Sequence, residues 1–177
     1  KELARRFGTK TFTKTLDMML ARNFNATHEI IKTQVSTDEL YFEDYSCDDG
    51  QGYGPYKIAC TMRKIIKENG EHHAVFDFSH TDPQSPGSVN FYLNVELFKM
   101  FVGSYLTAVF DPQMTFNDGF YPLLEVNIPK GNLLNPEFPA ALSCRTHLLG
   151  RVFDIIGGLL GQRAPQFMCA AGFSDSP

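Results

Sequence analysis

The sequence has no tryptophan, and its four cysteines (Cys47, Cys60, Cys144 and Cys169) stand far apart with no C-x-x-C pair. That spacing argues against a zinc ribbon and against a disulfide scaffold, and leaves free thiols of a reducing, cytoplasmic compartment as the simplest reading. Surplus positive charge is missing too. Sixteen Lys and Arg face twenty Asp and Glu, a formal charge of −4, which disfavours a dominant nucleic-acid role because phosphates are bound by excess cations. Apolar stretches are cut by Gly, Arg or Asp before they reach the roughly 20 residues of a membrane helix, so no membrane association is expected. Blocks of like charge and internal repeats are absent. The chain starts at Lys1 without Met and shows no secretory leader pattern. It is therefore expected to be a single domain or sub-domain, residues 1–177, excised from a longer subunit.

What is present is enough for a packed core: 177 residues, 43% hydrophobic and 20% charged. Leu16, Met19, Leu20, Phe24, Thr27, His28 and Ile31 recur at helical steps, and a short helix at 2–7 precedes them across Gly8. Thr9 or Thr11 is the expected cap, and Met18, Met19 and Phe24 are expected in the core. Residues 40–45, 56–65 and 74–78 read as strands. The second alternates, with Tyr56, Ile58, Cys60 and Met62 on one face, and Asn69-Gly70 marks the hairpin turn to the third. Residues 91–110 predict a helix apolar around most of its girth, 123–128 a short strand, and 143–161 a last helix. Strands grouped beside helices, without β-α alternation, predict an α+β fold: an antiparallel hairpin or sheet packed with three or more helices.

Standard catalytic signatures are missing: no phosphate loop, no H-E-x-x-H, no G-x-S-x-G. Gly50-Gln51-Gly52-Tyr53-Gly54 lacks the strand-then-helix setting of a phosphate cradle and reads as a flexible hairpin loop. Neighbouring His72 and His73 point to opposite faces of a strand and read as a solvated pair, not a shared metal site. Asp48-Asp49 reads as a wet turn. The polar loops at the ends of the apolar elements are more informative, because binding groups concentrate there. Asp82 and Asn117 are turn formers or site residues. Asn90 either caps the helix expected at Phe91 or binds substrate. Arg145 and His147 place cations in a first helical turn, against the dipole, which hints at a nearby anion. Arg151 and Asp154 form a surface i, i+3 ion pair.

Several blocks then fall into one order. Phe76-Asp77-Phe78-Ser79-His80-Thr81-Asp82-Pro83-Gln84, Gly87-Ser88-Val89-Asn90, Asn117-Asp118-Gly119 and the stretch Val126 to Pro136 together resemble the hydantoinase B / oxoprolinase family. Ser143-Cys144-Arg145-Thr146-His147 is most similar to its acetone carboxylase branch, large-subunit type. His80 stands where the family has Gly, and Asn132 where it has Ser.

The resemblance implies a part of an ATP-dependent ketone carboxylase. Its partners would be a hydantoinase A-like ATP-binding subunit and a small third subunit. ATP and a divalent metal, manganese, would serve the full complex, with none bound to this segment and no metal ligand in it. ATP-dependent opening of a hydantoin or 5-oxoproline ring is the alternative, and a subunit-packing segment without catalytic residues is the second. For carboxylation, an enolate oxyanion needs fixed donors, bicarbonate needs Arg and proton removal needs a base. Arg145, His147, Asp82 and Asn117 are the catalytic candidates, with Asn90 and His80 for substrate. The expectation is that their loops meet in one recess.

Overall fold

The computed structural model describes residues 1–48, 50–143 and 145–167, the side chains of Arg145 and Phe167 excepted. The chain runs α1 (Glu2–Phe7), α2 (Thr9–Gln34), β1 (Leu40–Ser46), β2 (Tyr56–Ile66), β3 (His72–Asp77), α3 (Val95–Phe110), a 3-10 turn (Asp118–Leu123), β4 (Leu124–Asn127) and α4 (Arg145–Gly161). The four strands form one sheet in the order β1-β2-β3-β4. The first two pairings are antiparallel, and β4 joins β3 in parallel with Ala74 opposite Leu124. This is the expected α+β arrangement.

The β2–β3 hairpin closes where Asn69-Gly70 places it. Gly70 takes φ 83, a conformation that glycine reaches without strain. Its N–H donates to the Lys67 carbonyl at 2.8 Å. The alternation of β2 then sends Ile58, Cys60 and Met62 to the same side as Ala74 and Phe76, all at most 2% exposed. Helices cover that side. Phe98, Val102 and Leu106 of α3 and Leu148, Val152, Ile155, Ile156 and Leu159 of α4 complete the core. Phe98 stands edge-on between Phe76 and Phe78, at 5.3 and 5.2 Å between centroids, a favourable quadrupole geometry.

Four expectations are corrected. The third helix begins at Val95, capped by Asn94, whose Oδ1 accepts from Leu97 N. Phe91 and Leu93 are extended instead, donating to the carbonyls of Leu133 and Leu134. The last helix starts at Arg145, two residues later than its sequence pattern implies. Gly8, with φ 83 and no side-chain bond, precedes α2, so neither Thr9 nor Thr11 caps it. Finally, Met18 and Met19 are 62% and 43% exposed, and the buried part of α2 begins only at Asn23. The stripe is amphipathic, but no residue of α2 before Asn23 is buried.

Two close crossings set the helix layer. A Cβ on Gly158 of α4 would lie 2.5 Å from the Phe42 ring of β1, and one on Gly103 of α3 would lie 2.1 Å from Phe120. Gly103→Ala is expected to cost about 1–3 kcal/mol by overpacking, read as a lower urea midpoint. An unchanged midpoint contradicts that packing.

Candidate functional site

Beyond Asp77, strand β3 stops while β2 still has backbone groups directed at the empty position. The loop fills it with side chains. Thr81 Oγ1 accepts from Ala59 N at 3.1 Å and donates to Ala59 O at 3.0 Å. Asp82 Oδ2 accepts from Lys57 N at 2.8 Å, and its own N–H donates to Lys57 O at 3.0 Å. Further out, Gln84 reads Glu137 as a second backbone would, accepting from its N–H at 2.7 Å and donating to its carbonyl at 3.3 Å. Asn90, fully buried, accepts from Ser85 N and donates to the carbonyls of Ser85, Gly87 and Ala141. Asn132 donates to Phe78 O and accepts from Leu134 N. Asp82 and Asn90 thus both serve main chain.

Asn117 does the same elsewhere. Its Oδ1 accepts from Gly119 N at 2.9 Å, and its amide reaches Met19 O at 3.3 Å. It leads into the 3-10 turn before β4, at the end where β3 begins. Asp82 lies past the end where β3 finishes. The length of a strand, on the order of 20 Å, separates them, so the expected meeting of these loops does not occur. His80 is exposed, edge-on to Tyr41 at 6.1 Å. His147 is half-buried in the first turn of α4. Arg145 opens that helix, and its side chain lies outside the described residues.

At the Asp82 end the chain does form a recess, about 230 Å³, lined by Asn90, Phe91, Tyr92, Leu142 and Ser143. The start of α4 is tied there: Ser143 N donates to Ser88 O at 2.9 Å, and Leu142 bridges Val89 and Asn90. His147, Arg151 and Asp154 then follow down one side of α4 at i, i+4 and i+7. The i, i+3 spacing predicts a pair of Arg151 with Asp154 alone. The structure adds Asp44 of β1: Arg151 Nη1 donates to Asp44 Oδ2 at 3.0 Å, and Nη2 lies 3.1 Å from Asp154 Oδ2, a charge contact without a well-directed hydrogen bond. The three side chains are 15–26% exposed. Burial pushes the Asp154 carboxyl up, Arg151 opposes this, and Asp44 adds to it. A carboxyl held in this way suits proton transfer. One signal pointed to Asp44: it occupies the inward phase of β1, alongside Leu40 and Phe42, where an apolar residue belongs.

The histidines are also corrected. His73 is 9% exposed, with Nδ1 3.0 Å from Glu125 and Nε2 3.4 Å from Glu71. His72 N donates to His28 Nε2 at 3.0 Å, and burial pulls the half-buried His72 imidazole down. No cluster of three or more metal-ligating side chains exists among the described residues. Gly50 to Gly54 joins two antiparallel strands and precedes no helix. That loop therefore lacks the strand-then-helix setting of a phosphate cradle. No described helix is long and apolar enough to cross a membrane.

Asn90→Ala strands a buried N–H and three carbonyls. At about 1 kcal/mol for each of the four lost bonds, the expected loss is about 4 kcal/mol, read by urea unfolding. Glu125 titrates below its ordinary range, chiefly because Lys67 bonds it, so its stabilisation is present above about pH 4.5 and is lost as pH falls through the lowered value. Glu125→Gln is expected to lower the thermal midpoint at pH 7, and the difference from wild type should narrow progressively as pH falls below about 4.5.

The hydantoinase B/oxoprolinase family model matches residues 1–177. A 5-oxoprolinase, PfmaA of Pestalotiopsis fici, is 32% identical over 128 residues, 72% of this chain and 9% of that protein. Among solved structures, the ATP-dependent caprolactamase of Pseudomonas jessenii superposes over 94% of this chain and 28% of its own, at TM-score 0.75 and 22% identity. A nucleotide-free acetone carboxylase superposes over 93% of this chain and 22% of its own, at TM-score 0.68 and 14% identity. The chain thus spans about a tenth of that curated relative and about a quarter of the two solved chains. With its sequence blocks and its α+β fold, the chain belongs to the hydantoinase B/oxoprolinase family.

Proposed function

We propose that this chain is part of an ATP-dependent enzyme that opens a cyclic amide of the 5-oxoproline or hydantoin class. In this reading it builds one wall of the substrate chamber. ATP, bound elsewhere in the assembly on a hydantoinase A-like part, supplies the driving force. The observation that carries the reading is the 32% identity to a 5-oxoprolinase over 128 residues; the two solved neighbours, at 22% and 14%, support the fold alone. Ketone carboxylation, with manganese and a small third subunit, is the second reading, favoured by Ser143-Cys144-Arg145-Thr146-His147. A cytoplasmic setting suits both.

Of the six candidate residues, three serve the backbone: Asp82, Asn90 and Asn117. His80 stands exposed against Tyr41, so the chemical assignment narrows to Arg145 and His147, at the start of α4 near the recess. Arg145 would hold a substrate carboxylate or the oxyanion of the opening amide, and His147 would move a proton.

The test uses the whole family-length assembly, given ATP with 5-oxoproline or hydantoin, and separately ATP with labelled bicarbonate and acetone. Lactam-dependent ADP release without label incorporation is expected; label in acetoacetate would replace this reading with the second. Arg145→Ala is expected to lower turnover about tenfold or more with an unchanged thermal midpoint, and undiminished turnover removes Arg145 from the site.

A further inference from the structure

The first residue of β3 hands its main chain to a histidine. In the β2–β3 hairpin, Glu71 O accepts from Lys67 N, so the next N–H along the strand, that of His72, points away from β2. Strand β4 begins only opposite Ala74 and does not reach it. His28, from the half of α2 that enters the core, fills the place: its Nε2 accepts from His72 N at 3.0 Å. The His28 ring stacks on Phe24 with centroids 6.3 Å apart and lies 5.2 Å from the His72 ring.

An imidazole nitrogen that accepts a hydrogen bond must keep its lone pair, so His28 is neutral, with its proton on Nδ1, while this bond exists. The place left for a second proton is Nε2. Protonation there sets N–H against N–H and removes the bond. The surrounding charges come from every element at this corner. On α2, Glu29 Oε1 lies 3.7 Å from His28 Nδ1, and Lys32 follows one turn later. Lys64 of β2 donates to Lys32 O at 2.6 Å. On β3, Glu71 faces both His28 and His73. His73 stands 3.4 Å from Glu71 and 3.0 Å from Glu125 of β4, which Lys67 also pairs. His72 itself faces His28, Lys64 and Lys32, and its Nδ1 is buried without a partner. Burial, and after it these cations, hold the His72 imidazole below its ordinary range. Its share of stability is therefore present above about pH 6.5 and is lost as pH falls through the lowered value.

We propose that His28 and His72 form a pH-sensitive latch between α2 and the start of β3, closed near neutrality and open in mild acid. Closed, the neutral His28 ring supplies the acceptor that β4 does not reach, and it pins the end of α2 to the hairpin. Open, Nε2 carries a proton and His72 N loses its acceptor. Two imidazoles that both titrate then stand 5.2 Å apart beside two lysines, so the helix end and the strand end part locally. Thr27, Ile30 and Ile31 keep α2 on the core meanwhile, which makes the event a local opening and not an unfolding.

Nuclear magnetic resonance of the 177-residue chain between about pH 7.5 and about pH 5, where imidazoles gain their proton, tests this. At the upper end, the ring nitrogen shifts are expected to place the His28 proton on Nδ1. On acidification the His72 amide should shift with the same midpoint as the His28 ring. Its protection against hydrogen exchange, corrected for the intrinsic rate, should fall about fivefold. His28→Gln offers an acceptor that does not titrate. In that variant the protection should change less than about twofold over the range, and the thermal midpoint should drop less with acid than in the unmutated chain. His28→Ala has no acceptor and should show the low protection at both ends. A His28 proton on Nε2 at the upper end overturns the proposal. So does a His72 amide whose protection ignores pH, or whose midpoint differs from that of His28, or a His28→Gln chain that loses protection as steeply as the unmutated one. The tautomer and the shared midpoint are read from the unmutated chain, and they decide alone where a variant does not fold.

Discussion

The structure depends on how β2 is completed once β3 has ended. A strand inside a sheet presents main-chain donors and acceptors on both edges, and those buried without partners cost about 1–3 kcal/mol each. Lys57 and Ala59 would be left in that state on the β3 side. Thr81 and Asp82 supply the missing ladder from a loop, one with a hydroxyl that both donates and accepts, the other with a carboxylate plus its own amide. The loop can then turn away and bring 131–135 and 90–93 alongside it through Gln84, Asn90 and Asn132. The position of α4 follows from this, because Leu142 and Ser143 are attached to Ser88, Val89 and Asn90.

This changes what the family-like blocks mean. Residues such as Thr81, Asp82, Gln84, Asn90 and Asn132 look catalytic when read as types, since amides, carboxylates and hydroxyls do chemistry in other proteins. Here each of them bonds main chain. A short polar block in a loop can mark an architectural joint as firmly as an active site, and only its partners distinguish the two. His147 and the start of α4 are different. They stand where the joint ends and a recess opens, and the face of α4 that follows them carries charge into the contact with β1.

Much of the fold was legible from periodicity. The β2–β3 hairpin, its Asn69-Gly70 turn and the inward set of β2 came from alternation and one turn signal, both local. The parallel pairing of β4 was not legible, because pairing across 50 residues leaves no local trace. An apolar run alone does not separate extended chain from helix, so the helix expected from residue 91 begins only at Val95; Asn94, an ordinary cap three residues before Leu97, is the local cue to that start. At the site, the separation of Asp82 from Asn117 depended on strand direction, which the sequence could not supply. Asp44 was within reach, as a charged residue in an inward strand position.

The Asp44–Arg151–Asp154 group shows why such exceptions matter. A Leu at Asp44 would continue the inward apolar phase of β1 and remove the cost of drying a carboxylate. With Asp44 present, Arg151 serves two carboxylates, and the second, Asp154, binds its proton more tightly than an exposed aspartate would. Deleting Arg151 would leave two partly buried carboxylates facing each other, so its role in the fold is inseparable from the charge state of Asp154. The same geometry that joins α4 to β1 therefore sets the protonation of a group two turns from His147. The contact that joins α4 to β1 and the raised proton affinity of Asp154 are one arrangement here, reached through Asp44 in the inward phase of β1 beside Leu40 and Phe42.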